Sequence, residues 1–388
     1  MQRHYFDHNA TTPVDPRVLA AMLPHFEEAY GNASSLHSFG QDARRGVEQA
    51  RRKVASQLGC DPRDVVFTSG GTEADNLAVF GIGRAGGRAS RHVITSQIEH
   101  PAVLNACQKL EREGVDVTYL PAGSDGCVSP ADVRAALRPD TVLVTVMHAN
   151  NELGTIQPIE RIAEVAREAG VPLHSDGVQS FGKVETRVRD LGVDMFSLSA
   201  HKIYGPKGAG ALYIRRGLQV EKVQYGGKHE RDRRPGTENV PGIVGLGAAA
   251  ELAGSDLAEE GGRVSALRDR LERGVLEKIP ETHVHGAGSP RLPTTSSIRF
   301  EAVESEPLLI SLDLQGFAVS SGSACSSGAV EPSHVLLSIG LRRDQAKSTL
   351  RFSLGRRTRR HDVDALLDVL PEIVRRLRAL SPAWAGAI

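Results

Sequence analysis

The chain has 388 residues and carries 47 Lys and Arg against 47 Asp and Glu, a formal net charge of zero. That balance offers no basic field for nucleic acid or an anionic membrane surface, and no run approaches the ~18 apolar residues of a membrane span. The length exceeds that of one ordinary core, so a large α/β domain with a smaller companion is expected.

Met1 to Asp7 holds no apolar stretch of signal-peptide length, and the reading is a cytoplasmic protein. The cysteines Cys60, Cys107, Cys127 and Cys325 are too few and too scattered for a disulfide framework. None lies at metal-ligand spacing from a histidine, so no metal is expected.

Val14-Asp15-Pro16-Arg17 opens a helix with proline in its first turn, and residues 41–58 read as a second helix, ended by Gly59. Strand candidates follow at 65–67, 92–95, 116–120, 142–147, 172–174, 195–198 and 211–214. Helical stretches near 73–84, 101–113, 130–137 and 158–169 alternate with them. This predicts an α/β fold with a mainly parallel seven-stranded sheet and helices on both faces.

Beyond residue 239 a helix over 243–252 leads into the glycine-containing stretch 253–262, read as a break, and another helix covers 263–278. Strands at 297–300, 318–320 and 350–353, with helices at 306–314 and 363–380, make an α+β unit. The division is a large domain over 15–258 and a small domain formed by 1–14 and 259–388.

In such sheets ligands bind beyond the carboxyl ends of the strands, so the residues there are the candidates. Thr68-Ser69-Gly70-Gly71-Thr72 is a glycine turn opening a helix. Its N–H groups and macrodipole suit a phosphate, although a plain capped helix gives the same pattern. His100 precedes another helix, as a cap or as a ligand contact. His148-Ala149-Asn150-Asn151 follows the 142–147 strand.

Asp176 and Gln179 follow the 172–174 strand, where an aspartate either caps a helix or faces a pyridine nitrogen. Ser199, His201 and Lys202 follow the 195–198 strand. A lysine there is a surface residue or the Schiff-base partner of an aldehyde cofactor. Cys325 lies in Ser321-Gly322-Ser323-Ala324-Cys325-Ser326-Ser327-Gly328, whose small residues favour an exposed loop over a core position. The arginine-rich run 356–361 reads as a solvated face.

A phosphate turn, a histidine, an Asp with a Gln, and Ser-x-His-Lys at successive strand ends resemble a pyridoxal phosphate site of the aspartate-aminotransferase type, fold type I. Three further segments extend the resemblance: Asp7-His8-Asn9-Ala10-Thr11-Thr12, Arg234-Pro235-Gly236-Thr237-Glu238-Asn239 and Arg351-Phe352-Ser353-Leu354-Gly355. With the Cys325 loop, nearly the whole chain resembles the cysteine desulfurases of the nitrogen-fixation and iron–sulfur housekeeping group.

That resemblance implies a role for each candidate. Lys202 would carry the cofactor as a Schiff base and move the substrate proton. Asp176 would pair with the pyridine nitrogen, Gln179 with the ring oxygen, and His100 would stack on the ring and assist catalysis. Gly71, Thr72, Ser199 and His201 would hold the phosphate, and Thr237 would reach the partner's phosphate across a homodimer. Asn151 and Arg351 would bind the substrate carboxylate, with Asn151 also beside the cofactor.

The implied reaction takes L-cysteine to L-alanine with pyridoxal 5'-phosphate, leaving sulfur as a persulfide on Cys325 for an acceptor such as an iron–sulfur scaffold protein. The alternatives are a selenocysteine lyase, or an aminotransferase, on the same scaffold.

Overall fold

The computed structural model describes residues 3–85, 91–321 and 331–385. A short opening strand, β1 (His4–Tyr5), precedes the main sheet. That sheet comprises β2 (Val65–Thr68), β3 (His92–Ser96), β4 (Asp116–Leu120), β5 (Thr141–Thr145), β6 (Leu173–Asp176), β7 (Met195–Ser199) and β8 (Gly210–Ile214). Their spatial order is β2-β8-β7-β6-β5-β3-β4.

Only β8 is reversed, running antiparallel to β2 and β7, while the other pairs are parallel. The seven strands expected from the apolar runs are therefore all present. Every residue of β2, β3, β6, β7 and β8 is buried, as a sheet covered on both faces requires. Because six strands share one direction, their carboxyl ends open on one edge.

Local chemistry sets where the flanking helices start. Pro101 and Pro130 occupy first-turn positions where no N–H is needed, after His100 and Ser129, whose side chains accept from Ala102 N and Ala131 N. The helix Ser38–Leu58 ends at Gly59, in the left-handed region at φ 66°.

The expected break at 253–262 is absent. Val240–Lys278 is one helix of 39 residues. Gly254 does not break it because that position faces a neighbouring helix at close range: a Cβ there would lie 1.7 Å from Gln57 Oε1. Helix-interior glycine costs about 1 kcal/mol, and here it makes room for the Gln57 carboxamide lying against the helix.

Beyond this helix, β9 (Thr282–His285), β10 (Thr295–Phe300) and β12 (Thr349–Ser353) form an antiparallel sheet ordered β12-β10-β9. The intervening strand β11 (Phe317–Ala318) pairs in parallel with β1. Phe6, Leu271, Ile298, Leu308, Phe352 and Leu366 share one apolar cluster, separate from the cluster built around Phe67, Phe181 and Phe196 beside the large sheet.

Arg356, read as part of a solvated basic run, turns inward instead. It bonds Asp15 at 3.0 Å and Asp256 at 3.3 Å, and lies 4.8 Å over the Tyr204 ring. Burying its stem against Tyr204 while its head pairs with two carboxylates is what a long cationic side chain permits. The pairings join the end of the small sheet to the start of the chain.

Candidate active site

Nine of the candidate residues line one cavity of about 220 Å³: Gly71, Thr72, His100, Asn151, Asp176, Gln179, Ser199, His201 and Lys202. They come from the carboxyl ends of β2, β3, β5, β6 and β7. Asp75, Met147 and Val178 complete the lining. Thr237 is exposed on the surface and does not line it. Cys325 lies outside the described residues.

The turn after β2 is shaped by two close approaches. A Cβ on Gly71 would meet Val178 Cγ2 at 2.6 Å, and one on Gly210 would meet Gly70 Cα at 2.6 Å. Glycine at these positions lets the turn press against both β8 and the turn that follows β6. The helix Gly71–Gly83 then begins with no side-chain cap, so its first N–H groups face the cavity end with the macrodipole behind them. Asn76 Nδ2 bonds Thr72 O at 2.8 Å and Ala102 O at 3.2 Å, tying this helix start to that of Pro101–Arg112.

His100 is both cap and cavity wall. Its Nδ1 accepts from Ala102 N at 3.1 Å, which leaves Nε2 to carry the proton of the neutral ring. Burial lowers its pKa, opposed by the nearby Asp176 carboxylate. Asp176 accepts from Val178 N at 2.8 Å. Burial raises its pKa, while His100 and Lys202 pull it back down.

Lys202 ends a short 3-10 turn after β7. Its Nζ donates to Asn9 O at 2.5 Å and Ala10 O at 2.8 Å. Burial, followed by the Arg351 charge, lowers its pKa to about 8. The segment from Asn9 to Thr12 clasps the whole turn: Thr12 N and Oγ1 both donate to His201 O, and His201 Nδ1 lies 3.1 Å from Thr11 Oγ1. Burial and the neighbouring Lys202 lower the His201 pKa to about 4, so its ring is neutral at physiological pH.

Arg351, on β12, is brought near the lysine without lining the cavity. Its Nη2 donates to Asp7 Oδ1 at 2.8 Å and its Nη1 to Asn151 O at 3.0 Å. Its buried Nε has no partner among the described residues.

Several contributors carried no sequence-level role. Asn9, Asp7 and Lys183 bond the candidate residues directly, and Asp75 lies four residues beyond Gly71 on the cavity side of the same helix. The four-residue spacing from Gly71 to Asp75 was the available signal for that carboxylate. Asn9 acts largely through its backbone carbonyl, which no residue identity announces.

Residues 4–366 match the family described as "Aminotransferase class-V". A "Cysteine desulfurase IscS" of Methanosarcina thermophila is 48% identical over 378 residues, covering 97% of this chain and 93% of the relative. A solved structure named "NIFS-LIKE PROTEIN" superposes with a TM-score of 0.90 at 37% identity, over 97% of this chain and all of that one. Another, "SspA in complex with cysteine", does so at 0.82 and 40% identity, over 91% of this chain and 99% of that one. Matches of this extent and identity mean that the chain belongs to the class-V aminotransferase family, in its cysteine desulfurase group.

Proposed function

We propose that the protein converts L-cysteine to L-alanine with pyridoxal 5'-phosphate as cofactor, and that Cys325 takes the sulfur as a persulfide for an iron–sulfur scaffold or another acceptor. The observation that carries this reading is the convergence of Lys202, Asp176, His100 and an uncapped helix start on one cavity of about 220 Å³.

The donor set fits the cofactor. The helix start at Gly71 and Thr72, with Ser199 and His201, offers uncharged donors to a phosphate dianion. Asp176 offers the pyridine nitrogen a buried carboxylate that has cationic neighbours. Gln179 faces the same cavity with an amide that can donate to the ring oxygen. When bound, pyridoxal phosphate draws electron density from the substrate Cα, which acidifies that carbon and prepares the departure of sulfur.

The protein's own groups do the rest. A Lys202 amine with pKa near 8 is substantially neutral under mildly alkaline conditions, so it would hold the cofactor by its aldehyde group and take up the substrate Cα proton. Arg351 and Asn151 hold the substrate carboxylate, with Asp7 fixing the guanidinium. The Cys325 thiolate attacks the substrate sulfur. An S–S bond forms, the C–S bond breaks with its electron pair passing to carbon, and protonation of that carbon completes alanine. L-cysteine and one enzyme thiol thus become L-alanine and one persulfide, with no external oxidant.

The same reading includes a homodimer. Leu19, Leu23, Phe26, Tyr30, Leu36 and Phe39 expose large apolar surfaces within a short stretch of chain, the kind of patch an interface covers. An exposed Thr237 suits service to the partner's site. Light scattering should give twice the chain mass. Free thiols at Cys60, Cys107 and Cys127 suit the reducing cytoplasm.

The test is a pair of variants. Cys325→Ser should keep the visible absorption of bound cofactor and form no persulfide, and Lys202→Ala should lose both the lysine-linked absorption and turnover. Sulfur release from cysteine by Cys325→Ser at the wild-type rate would refute the proposal.

A further inference from the structure

Among the described residues Lys183 is a cationic side chain close to Lys202 to which neither sequence nor family motif assigned a role. Its position is built in. Ser180 O accepts from Lys183 N and Val184 N, and Gly182 adopts φ 71° between them. A Cβ at Gly182 would lie 2.8 Å from Ala253 Cβ and 2.9 Å from Ile203 Cγ2. Glycine therefore lets the chain press against the residue after Lys202, and the lysine side chain emerges into the recess that both lysines line.

The Lys183 amine has unusual partners for a lysine. Its Nζ donates to Gln179 Oε1 at 2.9 Å and to Asn9 Oδ1 at 3.4 Å. No carboxylate pairs with it among the ion pairs of the described residues. Burial, with Lys202 and Arg351 nearby, brings its pKa down to about 7. Even the neutral amine has two N–H groups, enough for both contacts.

Asn9 is the centre of this arrangement. Its carbonyl oxygen receives Gln179 Nε2 at 3.0 Å and Lys202 Nζ at 2.5 Å, while its own Nδ2 donates to Thr295 Oγ1 and Asn151 O. The Gln179 carboxamide is thus held at both ends, oxygen by Lys183 and nitrogen by Asn9. One proton of the Nε2 group is used there, and the second remains for a ligand. Without the Lys183 donor, the Oε1 end would lack its partner and the amide could turn its oxygen toward the site, where it would repel an anionic ring oxygen.

We propose that Lys183 is a positioning residue, which fixes the amide orientation of Gln179 so that its NH2 end faces the cofactor, and steadies Asn9 where it receives the Lys202 amine. This rests on the reading above that Gln179 faces the pyridoxal ring.

Titration of the apoenzyme with pyridoxal 5'-phosphate, followed by protein fluorescence and the visible absorption maximum, tests it through a double-mutant cycle. Gln179→Ala should weaken cofactor binding roughly tenfold, as loss of a charge-assisted hydrogen bond does. Lys183→Met should weaken it by a similar factor and shift the absorption maximum, yet change affinity less than about twofold in the Gln179→Ala background.

Unchanged affinity in Gln179→Ala would sink the underlying reading of Gln179. A weakened Gln179→Ala with an unaffected Lys183→Met would overturn the role of Lys183, as would an equal Lys183→Met effect in both backgrounds. Should the methionine variant fail to accumulate folded, Lys183→Arg carries the same test, because it keeps a donor for Gln179 Oε1. Gln179→Ala must then cost as much affinity in the arginine background as in the lysine one, and a smaller cost overturns the proposal.

Discussion

Replacing Glu230 by alanine is predicted to lower stability by about 2–4 kcal/mol. The Glu230 carboxylate accepts from Arg51 Nη1 at 2.7 Å, Arg51 Nη2 at 2.8 Å and Phe67 N at 2.9 Å. Arg51 also donates to Val65 O at 2.9 Å and lies 4.6 Å over the Phe67 ring. Both charged side chains are 4% exposed. Removing the carboxylate leaves the buried guanidinium with only the half-exposed Glu48, 3.2 Å from its Nε, and a β2 N–H without its acceptor, a loss of about 3–5 kcal/mol.

Part of that loss is returned. Glu230, Arg231 and Asp232 all sit in the left-handed region, at φ 45°, 57° and 62°, where an L-residue costs about 1–2 kcal/mol. Freed from Arg51, position 230 can relax while its two neighbours stay, returning about 1 kcal/mol. Urea unfolding of the apoprotein measures the net change. The double variant Arg51→Met/Glu230→Leu should cost less than either single truncation, since the one charge it leaves unpaired, Glu48, is half-exposed to water. A Glu230→Ala variant within 1 kcal/mol of wild type, or a double variant costing the sum, would refute the account. Cofactor affinity should fall with stability, because the pair anchors the strand that leads into the Ser69–Gly71 turn.

Two further outcomes follow from the site. Gly71→Ala places a Cβ 2.6 Å from Val178 Cγ2, and overpacking of this kind costs about 1–3 kcal/mol. Pushing the turn off the Asp176–Gln179 loop should weaken cofactor binding roughly tenfold, read by apoenzyme titration, with an unchanged circular dichroism spectrum. Lys202, lowered to about 8 in the folded apoprotein, binds fewer protons there than in the unfolded chain between pH 8 and ~10.5. Apoprotein stability should therefore rise through that window, and Lys202→Met should flatten the rise; an identical slope in both proteins would show that the burial of this amine is not felt.

The sheet was legible because each strand is an apolar run between turn residues, a signal that survives without tertiary knowledge. His100, Asp176 and Lys202 were legible for a related reason: distinctive side chains directly after strands must emerge at the carboxyl edge. The glycines at 254, 261 and 262 misled, because glycine signals both chain breaks and close helix contacts, and only packing against Gln57 decides between them for Gly254. Arg356 misled because a charge run looks solvated until Asp15, some 340 positions away, is folded against it. Asn9 was silent because its contacts reach Gln179 and Lys183 across 170 or more residues of chain, and Lys183 because a lysine four residues after a glutamine does not show by itself that it bonds the amide oxygen.

The buried carboxylates show how one negative charge is assigned to the right place. Asp75, Glu99, Glu152 and Asp176 are all buried around the strand ends, and burial raises the pKa of each. Four anions cannot coexist there. Glu99, pushed up to about 8, finds only Ser96 Oγ and Met147 N as donors, and its Oε2 has no partner. Asp75 is raised by burial and again by the charge of Asp176 itself. Glu152, outside the cavity lining, is pulled back down by a Ser333 hydrogen bond and by the charges of Arg351 and His334. Asp176 alone has both His100 and Lys202 drawing its pKa down. The proton is thus best held by Glu99 and Asp75, and the negative charge in the cavity by Asp176, the carboxylate that the proposed function sets against the pyridine nitrogen. An Asp75→Asn substitution would leave that assignment intact, whereas Asp176→Asn removes the cavity carboxylate that His100 and Lys202 favour as an anion.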